Sequence, residues 1–207
     1  MYQLSCRDFL QKLSSSAPVP GGGGASALCG AIGTALSSMV ASLTVGKKKY
    51  ADVQEDVKAI IVKAEKLQNE LCDLINEDAK AFEPLARAYS LPKETEEQIA
   101  YKNEIMEKAL VSACEVPFAI MEKCWEAILL LEETAQKGTR IALSDAGAGV
   151  LMCDAALKAA SLNIYINARL MKDRERAGGF TEKTDTLIKK ADKKSAEVYE
   201  FVLAQIK

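Results

Sequence analysis

Two aspartates stand where a carboxylate could act as a general base. Asp78 interrupts an otherwise apolar helical stripe between Leu74 and Phe82. A carboxylate buried there must be paired, hydrogen-bonded or protonated, because an unpaired buried charge costs several kcal/mol. Asp145 follows Ser144, a good N-cap residue, which would place Asp145 in the first turn of a helix near free backbone N–H groups. Each aspartate fits either a catalytic base or a structural helix cap.

The other titratable residues limit which groups could take part in catalysis. The chain of 207 residues contains no histidine, so acid–base catalysis must use carboxylates, lysine, tyrosine, cysteine or water, and a histidine-ligated metal is excluded. Six cysteines are scattered without a C-x-x-C pair. This pattern predicts free thiols in a reducing cytoplasm rather than disulfides or a zinc site. We therefore expect no metal.

A glycine loop is the strongest candidate for ligand binding. Consecutive residues without a Cβ can turn several N–H groups toward one point, and the start of the following helix adds its dipole. The loop could bind an anion or a carbonyl group, or it could be a hinge without a ligand. A dinucleotide fingerprint would need a preceding strand, and a P-loop would need Lys-Ser/Thr after the last glycine. The loop comprises Pro18, Val19, Pro20, Gly21, Gly22, Gly23 and Gly24.

Two further groups of polar residues could contact a ligand. Lys47, Lys48 and Lys49 lie in a basic corner, Gly46 to Tyr50, after a run without charged side chains. They suit an anionic tail, or they balance the dipole at a helix end. Asn163 and Asn167 lie one helical turn apart, where their amides could bind a heterocycle or bridge to a neighbouring helix.

Helical periodicity accounts for almost the whole chain. We predict a central buried helix over Ala25 to Val45, a helix over Asp52 to Ala88, a further helix with a kink or restart at Pro117, and a second small-residue helix from Ser144 to about Lys172. Asp173 to Phe180 is predicted to be a mobile connector before a terminal helix that starts at Thr181. The predicted fold is a single all-α domain, residues 1–207: a multihelical bundle with two buried small-residue central helices.

Charge and composition argue against two classes of partner. The net charge is −2 and the charges are interspersed, which is not the basic face of a nucleic-acid binder. The run from Ala25 to Val45 has about the ~20 residues that a membrane span needs. It is rich in Ser, Thr and Gly and is followed by long charged helices, so we favour a core helix and expect no membrane contact.

Several motifs together resemble the cyclodeaminase/cyclohydrolase family of folate enzymes. The family includes the C-terminal domain of formimidoyltransferase-cyclodeaminase and free-standing bacterial methenyltetrahydrofolate cyclohydrolases. The motifs cover nearly the whole chain in the family's order, although each is weak alone. They are Ala17-Pro18-Val19-Pro20-Gly21-Gly22-Gly23, Leu43-Thr44-Val45-Gly46-Lys47-Lys48-Lys49, Asp78-Ala79-Lys80-Ala81-Phe82, Leu91-Pro92-Lys93, Ser144-Asp145-Ala146-Gly147 and Leu162-Asn163-Ile164-Tyr165-Ile166-Asn167.

The resemblance implies a multihelical cytoplasmic enzyme, a homodimer or higher homo-oligomer, that hydrolyses methenyltetrahydrofolate without metal or cofactor. Asp145 or Asp78 would be the base. We slightly favour Asp145, because it opens the helix whose later turns carry Asn163 and Asn167, so that a flat ligand along this helix could meet the carboxylate and the amides together. The substrate would be bound by Pro20, Gly21 to Gly24, Lys47 to Lys49, Ser144, Asn163 and Asn167, with the lysines at its glutamate tail. Many members carry Ser after the third glycine, where this chain has Gly24. A hydroxyl role at that position therefore does not transfer.

Two other functions stay open at this point. A cyclodeaminase would expel ammonia from formimidoyltetrahydrofolate through the same bicyclic intermediate. Residues 1–207 carry no formimidoyltransferase domain, which favours the cyclohydrolase. A helical scaffold protein would use its small-residue helices only to oligomerise, and it would bind no folate.

Overall fold

The computed structural model describes Met1 and residues 3–207 and contains six α-helices within them. They are α1 (Cys6–Leu13), α2 (Gly22–Ser42), α3 (Gln54–Tyr89), α4 (Glu96–Lys137), α5 (Leu143–Leu170) and α6 (Arg174–Ile206). Short 3₁₀ turns span Lys48–Val53 and Arg140–Ala142. The described residues form no strand, so the predicted all-α fold is confirmed.

The two small-residue helices α2 and α5 lie side by side and antiparallel in the middle of the bundle. Gly22 lies beside Asn163 at one end, and at the other end the Thr139 N–H donates to Thr44 Oγ1 at 2.8 Å. Helix α2 also packs on α3 and α4, and α5 packs on α4 and α6. The fully buried side chains between these helices include Leu71, Ile75, Met121, Ile128, Leu131, Leu157 and Ile164. Each such side chain contributes about 1.5–3 kcal/mol when it leaves water.

Three predicted helix starts are wrong. Helix α2 begins at Gly22 rather than Ala25, so Gly22, Gly23 and Gly24 of the predicted glycine loop form its first turn. Helix α6 begins at Arg174 rather than Thr181, because the Asp173 side chain accepts from the Arg176 N–H at 3.0 Å and caps it. Residues 174–180 are therefore helical and not a mobile connector, although two glycines in this turn each cost about 1 kcal/mol. Helix α5 begins at Leu143 with Ala142 at the N-cap, so Ser144 does not cap it.

Helices α4 and α3 also differ from their predicted form. Helix α4 continues through the buried Pro117 without restarting, over 42 residues. A 3₁₀ turn over Lys48–Val53 delays the start of α3 to Gln54.

Helix α2 and the segment Arg140–Leu170 are long and apolar enough to cross a membrane by composition alone. About half of each is buried within the bundle, and core helices of soluble proteins meet the same test.

Candidate active site

A cleft of about 130 Å³ opens at the N-terminus of α2. The glycine loop forms one wall, α3 supplies the carboxylate of Asp78, and α5 supplies two amides. Ala113 and Pro117 of α4 close it from a fourth side. Its lining residues are Pro18, Val19, Gly21, Gly22, Gly23, Asp78, Ala81, Phe82, Ala113, Pro117, Asn163 and Asn167.

The carboxylate of Asp78 occupies the space that a side chain on Gly23 would need. A Cβ added to Gly23 would lie 2.1 Å from Oδ1 and 2.5 Å from Cγ of Asp78. No side chain larger than hydrogen can stand there while the carboxylate keeps its place. Glycine at this position therefore allows Asp78 to reach the first turn of α2, where backbone N–H groups have no partner within the helix.

Burial raises the pKa of the Asp78 carboxyl group above its ordinary value, and the backbone N–H of Gly24 acts more weakly in the opposite direction. A carboxylate with a raised pKa is a stronger proton acceptor than an exposed one. General-base catalysis is most effective when the pKa of the base lies near the operating pH. A carboxyl group with this position and this direction of pKa shift can act as a general base.

Two amides of α5 stand beside the same cleft. The Asn167 Nδ2 donates to the carbonyl of Ala113 on α4 at 2.8 Å, which fixes the orientation of this side chain. The Asn163 Nδ2 makes only long contacts, 3.4 Å and 3.5 Å, to carbonyls of its own helix. It also lies 3.8 Å from where a Cβ on Gly22 would be. Asn163 can therefore exchange its weak intrahelical contacts for a ligand.

The basic corner lies at the opposite end of α2. The Lys47 Nζ donates to Thr139 Oγ1 at 3.1 Å, and the Arg140 N–H donates to the Tyr50 hydroxyl at 3.1 Å. Lys49 stands 5.9 Å from the centre of the Tyr50 ring. The Arg140 N–H, with smaller effects of Thr139 and the lysine charges, lowers the pKa of Tyr50. Hydrogen bonds thus join the corner to the turn that precedes α5.

The structure divides the predicted site residues into two groups. Gly21 to Gly23, Asp78 and the two asparagines line the cleft, whereas the corner lysines, Ser144 and Asp145 lie near the other ends of α2 and α5. At about 1.5 Å per residue, Asp145 is about 27 Å from Asn163 along α5. Asp145 therefore cannot share one ligand with these amides inside a single copy of the chain.

Pro20 and Gly24, which were predicted to bind the substrate, do not line the cleft. Pro20 is buried, and a Cβ on Gly24 would lie 3.4 Å from it. Both residues therefore stand behind the loop.

Sequence reasoning did not assign six of the residues that line the cleft to the site, and it placed Phe82 in the apolar stripe of its helix. The six are Pro18, Val19, Ala81, Phe82, Ala113 and Pro117. Ala81 and Phe82 lie three and four positions after Asp78, so their position on the same helix face was available as a signal. Ala113 and Pro117 come from α4, and no local pattern predicts that contact.

The three buried cysteines, Cys114, Cys124 and Cys153, are unsuited to nucleophilic chemistry. Burial raises the pKa of Cys153 to about 12 and that of Cys114 to about 12, and it raises the pKa of Cys124 well above its ordinary value. Thiols in such surroundings are not thiolates at neutral pH and are inert. Among the residues that the structure describes, no cluster of three or more acidic, cysteine or histidine side chains could hold a metal ion.

Known proteins of this fold provide the comparison. The profile of the formiminotransferase-cyclodeaminase family matches residues 5–186. The chain is 42% identical to the methenyltetrahydrofolate cyclohydrolase of Methylorubrum extorquens over 96% of this chain and 95% of that protein. It is 30% identical to the formimidoyltransferase-cyclodeaminase of Dictyostelium discoideum over 96% of this chain, but it spans only 36% of that relative.

A solved structure extends the comparison to three dimensions. The formiminotetrahydrofolate cyclodeaminase of Thermotoga maritima matches with a TM-score of 0.81 and 27% sequence identity. The match covers 98% of this chain and 96% of that one. The family profile, the full-length relative and the shared helical fold agree: the chain belongs to the formiminotransferase-cyclodeaminase family.

Proposed function

We propose that this protein is a methenyltetrahydrofolate cyclohydrolase, which hydrolyses 5,10-methenyltetrahydrofolate to 10-formyltetrahydrofolate. The observation that carries this proposal is the 42% identity to a cyclohydrolase over almost the full length of both proteins. The cleft around Asp78 supplies the one group that the reaction needs, a base beside a site that can hold a cation.

The reaction requires a proton acceptor and no redox chemistry. Water attacks the cationic amidinium carbon of the substrate, and Asp78 takes the proton that the water loses. In the resulting carbinolamine, the hydroxyl proton is transferred to the N5 nitrogen as the bond from carbon to N5 breaks. The carbon then carries the formyl group on N10, and the proton held by Asp78 is released to solvent. No metal or cofactor is needed for any of these steps.

The surrounding residues supply orientation. N–H groups at the start of α2 can donate to carbonyl or carboxylate oxygens of the folate, as helix N-termini commonly do for anions. Asn163 can both donate to and accept from the pterin ring. Until it takes a proton from the attacking water, the Asp78 carboxylate also stabilises the positive charge of the amidinium group. Binding and base catalysis thus meet in one cleft.

Asp145 is the second candidate for the base. It lies in the first turn of α5, about 27 Å from the cleft amides along the helix, so it meets a ligand in this cleft only from another copy of the chain. Comparison of Asp78→Asn with Asp145→Asn decides between them. A lost general base lowers kcat about 10²- to 10⁴-fold with the fold intact, and the other variant should keep near-parental kcat.

A formimidoyltetrahydrofolate cyclodeaminase is the second candidate function. The structural match to the Thermotoga maritima cyclodeaminase favours it, since that chain is covered almost completely. Purified protein should be given each folate in turn. Loss of the methenyl absorbance above the spontaneous rate, without ammonia release from formimidoyltetrahydrofolate, supports the cyclohydrolase. Ammonia release with no effect on the methenyl compound would instead assign the deaminase.

The remaining parts of the proposal concern the state of the protein. We propose a cytoplasmic homodimer that uses no cofactor and whose basic corner binds the glutamate tail of the folate. A scaffold protein of the same fold would show no thermal shift with 5-formyltetrahydrofolate well above micromolar concentration. A shift with the parent protein that is lost in Gly23→Ala would connect folate binding to the cleft.

A further inference from the structure

Two prolines interrupt the hydrogen bonding of long helices, and they lie in opposite surroundings. Proline has no N–H, so the carbonyl four residues before it in a helix loses its usual donor. Pro84 of α3 is exposed, and the carbonyl that it leaves free belongs to the exposed Lys80, where water can replace the donor. Pro117 of α4 is buried, and the carbonyl that it leaves free is that of Ala113, which is 6% exposed. This second carbonyl needs a partner from the protein.

Asn167 of α5 is that partner. Its Nδ2 donates to the Ala113 carbonyl oxygen at 2.8 Å, and Cys114 Sγ donates to the carbonyl of Ile164 on the same helix at 3.7 Å. The ring of a proline inside a helix also crowds the carbonyl four residues earlier and pushes it out of line with the helix axis. Pro117 thus both frees the Ala113 carbonyl and makes it available to α5.

This contact decides which end of the Asn167 amide is left for a ligand. A carbonyl oxygen can only accept, so the amide atom that faces Ala113 must be Nδ2, and the remaining atom is the acceptor Oδ1. Oδ1 receives no hydrogen bond from the residues that the structure describes, and it remains open to solvent. Because the side chain of Asn167 lines the cleft, its oxygen is the atom available there.

An acceptor at this place agrees with the charge of the cleft. Among the described residues that line it, Asp78 is the one titratable side chain, and none is a lysine or an arginine. The Asp78 carboxylate on α3 and Asn167 Oδ1 on α5 therefore supply acceptors from two walls. Such a cleft fits a ligand that presents N–H groups, and the reduced pterin ring of a folate carries several. An amide turned the other way would set donors against donors.

We propose that Pro117 is a positioning residue: it withholds the helical donor from Ala113 and so makes Asn167 present Oδ1 to the cleft, where Oδ1 accepts a hydrogen bond from an N–H of the substrate ring. For a folate ring, this inference rests on the proposed function. Pro117 and Asn167 carry no proton in the reaction, so they act on binding of the ring and not on the chemical step.

Removal of the proline should strengthen the helix and weaken binding at the same time. Pro117→Ala restores an N–H for the Ala113 carbonyl, so the melting temperature should equal or exceed that of the parent. The restored N–H competes with Asn167 for the same oxygen. The KM for methenyltetrahydrofolate should therefore rise about 2- to 10-fold, which corresponds to one neutral hydrogen bond, and kcat should stay near parental. A KM equal to that of the parent would overturn the inference.

Pro84→Ala is the matched control. It also removes a proline from inside a long helix, but Pro84 is exposed and does not line the cleft. Its melting temperature should rise as well, and its KM should remain parental. A rise in KM equal to that of Pro117→Ala would show a general effect of helix stiffness and would overturn the inference.

A double-mutant cycle separates the action through Asn167 from direct contact of the proline ring with the ligand. Asn167→Ala should raise KM by a factor similar to that of Pro117→Ala. The double variant should show no further rise, since the residue through which Pro117 acts is gone. An additive effect would overturn the inference, because the ring would then act by itself. A parental KM in Asn167→Ala would also overturn it and leave this amide only a bridge between helices.

The orientation of the amide can be measured without a substrate. In NMR spectra of the isotope-labelled parent, one Nδ2 proton of Asn167 should exchange slowly with solvent. Pro117→Ala should accelerate this exchange and Pro84→Ala should not. A parent that shows this response but turns over neither folate has the proposed positioning and a different ligand, so only the proposed function fails. An active parent whose Asn167 signal is unchanged in Pro117→Ala is a cyclohydrolase in which Pro117 positions nothing.

Discussion

Alanine in place of Gly23 separates catalysis from folding at a single position. The added Cβ would lie 2.1, 2.5 and 2.7 Å from three carboxyl atoms of Asp78, so the carboxylate must turn away from the cleft. A side chain forced off its rotamer costs about 0.5–1.5 kcal/mol. The replacement of a helical glycine by alanine returns up to about 1 kcal/mol. The free energy of unfolding should therefore change by less than about 1 kcal/mol.

The expected effect on catalysis is much larger. If Asp78 is the base, its displacement lowers kcat about 10²- to 10⁴-fold. Steady-state kinetics with methenyltetrahydrofolate, alongside urea unfolding of the same preparation, measures both quantities. Gly178→Ala is the control, because nothing lies within 4 Å of its added Cβ and Gly178 does not line the cleft. It should keep parental kcat. Gly24→Ala meets only ordinary contacts at 3.4 to 3.9 Å and should lose far less activity than Gly23→Ala.

Two results would refute this reasoning. A folded Gly23→Ala protein with parental kcat would show that the place of the Asp78 carboxylate does not matter to the reaction. A Gly23→Ala protein that unfolds would show that the glycine serves packing of α2 on α3, as a hinge without a ligand would.

Three further outcomes are expected. Burial raises the pKa of Asp78, so ionisation of this carboxyl group destabilises the fold. The melting temperature of Asp78→Asn should therefore exceed that of the parent by an amount that grows as the pH rises from the ordinary aspartate pKa through the raised one. A difference that is independent of pH would contradict this. Gln at positions 47–49 should raise KM more for polyglutamylated than for monoglutamylated folate, and equal changes would leave the lysines only a helix-end role. Gly33→Ala would place a Cβ 2.6 Å from Cys153 Sγ and 2.8 Å from the Gly149 carbonyl oxygen. We expect the free energy of unfolding in urea to fall by about 1–3 kcal/mol. Unchanged stability would refute such close packing.

The helices could be predicted because their signals are local. The three-to-four periodicity of α3 and the charge-free run of α2 are both present in continuous stretches of sequence, and both helices are confirmed. The predicted start of α6 failed because Gly178 and Gly179 were read as breakers. The N-cap at Asp173 and the packing of α6 on α5 and α4 outweigh their cost.

The site was partly predictable for the same reason. Asp78 was visible as a polar residue in an apolar stripe, and the glycine loop was visible by composition. Their contact was not predicted from the local pattern, because Gly23 and Asp78 belong to different helices and meet only when α2 packs on α3. The distance between Asp145 and the two asparagines could have been calculated from the length of α5 alone. Their presence on one helix had instead suggested that they bind a common ligand.

The geometry of both ends of the site follows from packing in the middle of α2 and α5. With no side chain at Gly33 or Gly149, the two backbones approach so closely that a Cβ on either would lie 2.8 Å from the carbonyl oxygen of the other. Because helices are stiff, one close contact in the middle sets the spacing at both ends. It holds Asn163 beside the glycine loop at one end, and it holds the basic corner against the turn before α5 at the other end. The packing that builds the core therefore also fixes the distance between the cleft and the basic corner.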